Sequence, residues 1–505
     1  MLDALEKING LVWGVPALVL ILGVGVYLSL RTGFAQLRLF PRALRAFFHQ
    51  FRGKKTQDGI SPMQALCTAL AATVGTGNLA GVAGAMAIGG PGAIFWMWIC
   101  ALMGMMLKFA EATLSVRYRV EENGEFLGGP MYTVRSALGK NWQWLGTVYA
   151  FFGIVAAFGV GNATQINAVI TGVDQALTAF RLEPTKTGDL LMGMILAILV
   201  GAMVLGGAKR IGTAAEKLVP FGAAAYLLLG CFVLMARFQA IPTAFAAIFR
   251  GAFHPKAVTG GVVGSMIATL RIGVSRGVFT NEAGMGTAGI AHAGASVNHP
   301  AEQGLLGIME VFLDTVVICT MTALVILVSG VPIPYGTDPG AALTTQAFTA
   351  VCGHWASVFI AAALALFAFA TVLGWGLYGA RCAQFLFGPG VIKPFAVLQV
   401  LTVVLGAVLN TQTVWLLSET VNGLMAIPNL LILAKLTPEL LRLIKEYAVQ
   451  RTAGGTYEDF HQRKPLRTLS HAEIPPPGRQ GGAGGQENLP PEHRSAGPGN
   501  PSGLL

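Results

Sequence analysis

The run Ala71–Gly92, AATVGTGNLAGVAGAMAIGGPG, contains five consecutive residues, Val74-Gly75-Thr76-Gly77-Asn78, that sit poorly in a lipid-embedded helix. They fall in the middle of an apolar segment, Ser61–Ile88, that is long enough to cross a bilayer, since roughly 20 apolar residues suffice. Gly75 and Gly77 lower the cost of leaving helical geometry. Unwinding at that depth frees amide and carbonyl groups that hydrocarbon cannot satisfy. Neighbouring helices, water, or a bound ion and solute must satisfy them instead.

The surrounding composition agrees with a bilayer setting. Of 505 residues, 54% are hydrophobic and only 11% charged, too little charge for the surface of a soluble protein of this size. Apolar runs mark eleven expected spans: Leu11–Leu30, Ser61–Ile88, Gly92–Val116, Trp144–Ile170, Leu190–Gly207, Ala215–Ala236, Gly260–Ala291, Gln303–Ser329, Ala356–Leu386, Pro394–Leu409 and Val414–Leu436. The fold class expected is an all-α polytopic membrane protein. The net charge of +10 could suggest nucleic acid or anionic lipid, but its placement argues otherwise, because the basic residues cluster in loops and tail as the positive-inside rule predicts; the partners expected are the membrane lipid around the spans and no nucleic acid. The six cysteines form no CxxC pair and read as packing residues. Met1–Asn9 is short and mixed in charge, so no cleavable signal peptide is expected.

Arg31, Arg38, Arg42, Arg45, Arg52, Lys54 and Lys55 follow the first span, against Lys7 alone before it, which puts the amino terminus outside and the carboxyl terminus in the cytoplasm. Arg237, Arg250 and Lys256 fall on an outside loop and oppose this assignment. The segment Phe34–Phe51, FAQLRLFPRALRAFFHQF, alternates apolar residues with arginines and reads as an interfacial helix on the inner headgroups. From about Thr452 the chain turns to Gly, Pro, Glu, Gln and Arg, a composition that cannot bury a core.

A second interruption lies at Gly273–Gly289, GVSRGVFTNEAGMGTAG, inside the seventh apolar run. With the first span set aside as an accessory, the interrupted spans are the first and sixth of ten, the placement that a five-plus-five inverted repeat of a secondary transporter requires. The organisation expected is an accessory unit at 1–56, a first repeat at 57–250 broken near 73–78, a second repeat at 251–445 broken near 277–286, and a disordered tail at 446–505. Two independent glycine-rich kinks used for close helix packing are the alternative. If the spans are broken, the half-helix after Asn78 aims free amides and a positive dipole end into the gap, which suits a carboxylate. Carbonyls near Ala71 and Val74 suit a small cation or an ammonium group.

Five blocks in the same order carry a family resemblance: GTGNLAGVAGAMAIGGPGAIFWMW, KFAEATLSVRYR, GGPMY at Gly128–Tyr132, RGVFTNEAGMGTAGIAHA at Arg276–Ala293, and LGWGLYG at Leu373–Gly379. Together they closely resemble the alanine or glycine:cation symporter family of bacteria and archaea, over roughly residues 5 to 445. The resemblance implies sodium-coupled symport of small amino acids across the inner membrane, with the leucine transporter-type inverted-repeat fold. By matching position it implies that Gly75, Thr76, Gly77 and Asn78 meet the substrate carboxylate, and that Thr280, Asn281, Gly284, Met285 and Gly286 line the second break. It further implies Thr371 as a sodium-ligating hydroxyl beside an aromatic wall at Trp375, with carbonyls of Ala71, Val74 and Ala368 completing the ion site. Family members carry Ser as well as Thr at the position of Thr280, and the proline- and glycine-rich tail is not part of the pattern.

Other polar residues leave alternatives open. Gln165 either reaches the pocket, as the resemblance supports, or makes an interhelical hydrogen bond. Lys108 and Glu111, three apart, read as a structural ion pair. Glu310 and Asp314 share a face and need a cation, an arginine such as Arg271 or Arg276, or protons. Glu282 is open between an ion pair, a gate and a proton relay, and proton coupling through Glu282, Glu310 or Asp314 is the rival to sodium. An enzyme is disfavoured because neither HExxH nor GxSxG occurs in context, and a channel because no repeated pore loop occurs. Gly77→Leu is expected to abolish binding by filling the space a carboxylate needs.

Overall fold

The computed structural model describes residues 2–50, 60–409 and 411–453, with side chains at 2–6, 15, 411–415 and 451–453 excepted. Arg52, Lys54, Lys55 and the chain from 454 onward lie outside the described residues. Among the described residues nine helices are long and apolar enough to cross a membrane, and ten if the bent pair Pro62–Thr73 and Gly77–Gly89 is one span. The seventh expected span falls short of that count because it is split into Met266–Asn281 and Thr287–His292.

Both interruptions are real. The first begins with a capping box, in which Ser61 Oγ accepts from Gln64 N and the Gln64 side chain accepts from Ser61 N, with Pro62 in the first turn. It runs to Thr73, leaves helical geometry at Val74 and Gly75, and resumes from Thr76 through a π-helical turn at Gly77–Gly81, bent by 51°. The second ends its first half at Asn281 and turns through three left-handed residues, Glu282 (φ 52), Gly284 (φ 90) and Gly286 (φ 80). The two glycines adopt such angles freely, but Glu282 does not, so its side chain must hold it there.

Helix Val15–Arg31 packs against both Ala93–Arg117 and Thr411–Lys435, and Trp13 Nε1 donates to the Glu419 carbonyl. The basic segment forms helices Ala35–Arg38 and Phe40–Gln50, the second lying against Pro300–Val311.

Several elements depart from expectation. The all-α class acquires a two-stranded antiparallel hairpin, Val120–Glu122 with Glu125–Leu127, turned by Asn123 and Gly124 at positive φ, the preferred chemistry for a tight hairpin. Two stretches between the expected spans contain helices, Ile241–Phe253 and Ala342–Cys352, the second tied to the first broken span by Thr344 Oγ1 donating to the Leu79 carbonyl. Helix Thr437–Ala453 carries order past the 446 boundary drawn for the tail. It alternates apolar residues such as Leu440, Leu443 and Tyr447, all buried, with charged ones, a pattern the tail composition further on does not share.

Candidate functional site

At the first break the freed backbone groups find side chains. The Gly75 amide donates to Asn78 Oδ1 at 2.9 Å. The Thr76 hydroxyl donates to Gln165 Oε1 at 3.1 Å, and the Thr76 amide points at the same oxygen from 3.5 Å. On the ninth span, Thr371 Oγ1 lies 2.9 Å from the Ala71 carbonyl and 3.0 Å from the Phe367 carbonyl. A hydroxyl has one proton, so it can satisfy only one of the two at a time. A Cβ added at Gly75 would lie 2.7 Å from Thr371 Oγ1 and 3.3 Å from Gln165 Oε1, so this glycine is what lets break, hydroxyl and amide converge. Ala71, Val74, Thr76, Asn78, Gln165, Ala368, Thr371 and Trp375 are all buried, so the site is occluded.

The second break is held by carboxylates. Glu111 Oε1 accepts from Gly284 N at 2.8 Å, Gly286 N at 3.0 Å and Asn429 Nδ2 at 2.9 Å. Glu282 accepts from Trp375 Nε1 at 2.8 Å on one oxygen and from the Thr287 hydroxyl at 2.6 Å on the other, which fixes its left-handed backbone. Asn281 Oδ1 caps the turn by accepting from Ala283 N. Gly286 has no room for a side chain, because a Cβ would meet Pro130 and Asn429. Met285 is fully buried, and Thr280 turns its hydroxyl back to the Gly277 carbonyl.

The two breaks touch and are bridged. A Cβ at Gly77 would lie 3.0 Å from Thr280 Cγ2 and 3.4 Å from Thr280 Cα. Gly77 is therefore a contact between the interrupted spans, and Gly77→Leu would force them apart, a different effect from filling a carboxylate space. Beside this contact, Asn78 Nδ2 donates to Asp314 Oδ1 at 2.6 Å, Thr315 Oγ1 donates to Asp314 Oδ2 at 2.8 Å, and Asn281 Nδ2 donates to Thr315 Oγ1 at 3.1 Å. This chain joins the asparagine of one break to the asparagine of the other. Asp314 and Thr315 sit in a π-helical stretch, Phe312–Cys319, and Gln165 follows another at Gly159–Ala163. π-turns concentrate at functional sites because they re-aim side chains within a helix.

Several ion-pair expectations are corrected. Lys108 does not pair with Glu111; its Nζ lies 2.8 Å from Glu310 Oε1, because the Glu111 carboxylate is drawn to the free amides of the second break. Neither Arg271 nor Arg276 reaches Glu310 or Asp314. Arg271 is exposed, and Arg276 pairs with Glu419 at 2.8 Å and Asp338 at 3.3 Å. The second oxygen of Glu310 accepts from His292 Nε2 at 3.1 Å, whose Nδ1 accepts in turn from Gln303 Nε2 at 2.7 Å. Trp375 lies four residues from Thr371 as expected, but its indole is committed to Glu282, and it packs where Gly161 leaves room for its ring. Asn429 and Thr315 were not legible as site residues; the signal available was only a polar residue within an apolar run.

A family profile described as the sodium:alanine symporter family matches residues 1–462. The sodium/alanine symporter AgcS of Methanococcus maripaludis is 44% identical over 431 residues, covering 84% of this chain and 92% of that protein. The amino-acid carrier protein AlsT of Bacillus subtilis is 38% identical, covering 90% and 93%. Among solved structures, MhsT in complex with L-phenylalanine superposes with a TM-score of 0.54 at 14% identity, over 75% of this chain and 90% of that one. The architecture is thus the leucine transporter-type inverted repeat preceded by an extra helix, a multi-pass membrane transporter and not an enzyme. On the match across nearly its whole length and the identity to these relatives, the chain belongs to the sodium:alanine symporter family.

Proposed function

We propose that the protein is a secondary active transporter that couples inward movement of sodium to uptake of a small neutral amino acid, alanine or glycine foremost, across the inner membrane. The observation that carries this reading is the meeting of Thr371 Oγ1, the Ala71 carbonyl and the side-chain-free Gly75 at the first break. When Thr371 gives its proton to Phe367, its lone pairs and the Ala71 carbonyl face one point, an all-oxygen environment for a hard cation. Carbonyls of Val74 and Ala368, one turn either way, are the further oxygens we assign to that ion. The substrate carboxylate takes the place that Gln165 Oε1 holds now, accepting from the Thr76 amide and hydroxyl beside Gly75, Gly77 and Asn78. The second break, with Thr280, Asn281, Gly284, Met285 and Gly286, and Trp375 behind it, forms the far wall and limits side-chain size.

The repeat units we assign are 57–250 and 251–445, with 1–56 as an accessory, the amino terminus outside and the carboxyl terminus cytoplasmic. In proteoliposomes, alanine uptake should follow an imposed sodium gradient and collapse when choline replaces sodium. Uptake that ignores sodium and follows an imposed pH gradient would replace sodium by the proton, with Glu282 or Asp314 as its carrier.

A further inference from the structure

At the end of the bundle where the first span finishes at Arg31, a cavity of about 510 Å³ opens between the amphipathic helix Phe40–Gln50, the start of the first broken span and the loop before helix Pro300–Val311. Its walls include Arg42, Arg45, His49, Asn298 and Tyr447. Arg42, Arg45 and His49 are spaced so that one face of the amphipathic helix presents all three to the cavity. All three are exposed, and among the described residues none of them makes an ion pair. Among the described residues Glu302 is the one carboxylate in the lining, against two arginines, so the described wall is net positive. The 12-residue helix Pro300–Val311 also begins here, adding the positive end of its dipole.

We propose that this cavity binds the phosphate-bearing headgroup of an anionic membrane lipid, gripped by Arg42 and Arg45 with His49 as a further donor. Guanidinium groups match phosphate oxygens in geometry and charge, and two on one helix face can hold one phosphate together. The same segment exposes Phe34, Leu37 and Phe48, at 40%, 51% and 58% of their full surface. Acyl chains would cover these apolar groups, and a free phosphate ion would leave them in water, so the lipid is the favoured source of the anion. Bound there, the lipid joins the amphipathic helix to the helix Thr437–Ala453, which also lines the cavity through Tyr447.

The test uses the full-length protein purified in neutral detergent and titrated with short-chain phosphatidylglycerol, with short-chain phosphatidylcholine as the uncharged comparison. Saturable binding of phosphatidylglycerol alone is expected. Arg42→Gln combined with Arg45→Gln should weaken it about tenfold or more, the loss of two charge-assisted contacts. Arg210→Gln, an exposed arginine outside the cavity, should leave affinity as in the wild type. Asn298→Glu should also weaken binding with both arginines in place, which keeps the test independent of how well the double variant folds. Equal affinity in wild type, double variant and Asn298→Glu would overturn the proposal, as would equally tight phosphatidylcholine. Full displacement by millimolar inorganic phosphate would also overturn the lipid assignment, giving the site to the free ion.

Discussion

Gly75→Ala is the smallest change that tests the proposed ion site. The added methyl would stand 2.7 Å from Thr371 Oγ1, a separation that real Cβ atoms do not adopt, and 3.3 Å from Gln165 Oε1. Thr371 is β-branched and sits within a long helix, so it has few rotamers to retreat into, and turning away would break its contact with the Ala71 carbonyl. Overpacking of this kind costs about 1–3 kcal/mol in a filled interior. If that cost falls on the ion-bound arrangement, sodium affinity should drop about 5- to 150-fold, at 1.4 kcal/mol per tenfold. The assay is sodium-dependent binding of radiolabelled alanine to purified protein, fitted for the sodium concentration at half saturation. Gly23→Ala is the control, since a methyl there meets nothing within 4 Å and the position faces outward. A Gly75→Ala protein that melts like the wild type and keeps its sodium affinity within about twofold, well under the 1 kcal/mol floor, would refute the placement of the ion at this break.

Thr371→Val keeps the shape and removes the oxygen proposed to ligate sodium, so it should raise the half-saturating sodium concentration about tenfold or more, while Thr371→Ser restores it; uptake at graded sodium measures both. Asp314→Asn turns one acceptor oxygen into a donor facing Asn78 or Thr315, breaking the bridge between the two asparagines; alanine binding should fall about tenfold or more and recover only in part when Asn78→Asp is added. Glu310→Gln leaves Lys108 fully buried without its carboxylate, a loss of about 3–5 kcal/mol, and should lower the melting temperature far more than Lys108→Met combined with Glu310→Leu.

Both interruptions were legible because glycine, threonine and asparagine at mid-bilayer have no cheap explanation in a continuous helix, and the structure breaks at Val74 and at Glu282. The convergence of Gly75, Thr76, Gln165 and Thr371 could be proposed only through family resemblance, because Gln165 is 89 residues from Thr76 and nothing in the chain announces their contact. The ion pairs were misread for a related reason. Helical spacing predicts which residues can share a face, as for Lys108 and Glu111, but not which neighbour across the packing interface outcompetes the near one. Asp314 reads from sequence as half of an awkward acidic pair, whereas its donors, Asn78 and Thr315, come from the first break and from the π-turn that holds Asp314 itself and shifts the helix face at that point.

The two breaks are satisfied by different means, and under the proposed function this asymmetry gives them different parts in coupling. The amides of Gly284 and Gly286 are held by a buried carboxylate that Asn429 also engages, and Glu282 is held by Trp375 and Thr287. These partners belong to the fold and have no reason to leave when substrate arrives. At the first break Asn78, itself bound to Asp314, holds the Gly75 amide, but the Thr76 amide is served only by a glutamine at 3.5 Å, and the Ala71 carbonyl shares the single proton of Thr371 with Phe367, and these last two are the exchangeable ones. Such contacts are weak enough to be exchanged for a carboxylate and a cation, so ligand binding should order the first break and leave the second as it was. Hydrogen exchange followed by mass spectrometry can read both at once. Peptides covering 71–79 should gain protection only with sodium and alanine together, and peptides covering 282–288 should be protected with or without them. Equal, ligand-dependent protection of the two segments would mean that the second break is assembled by substrate as well, and that Glu111 and Glu282 do not hold it on their own.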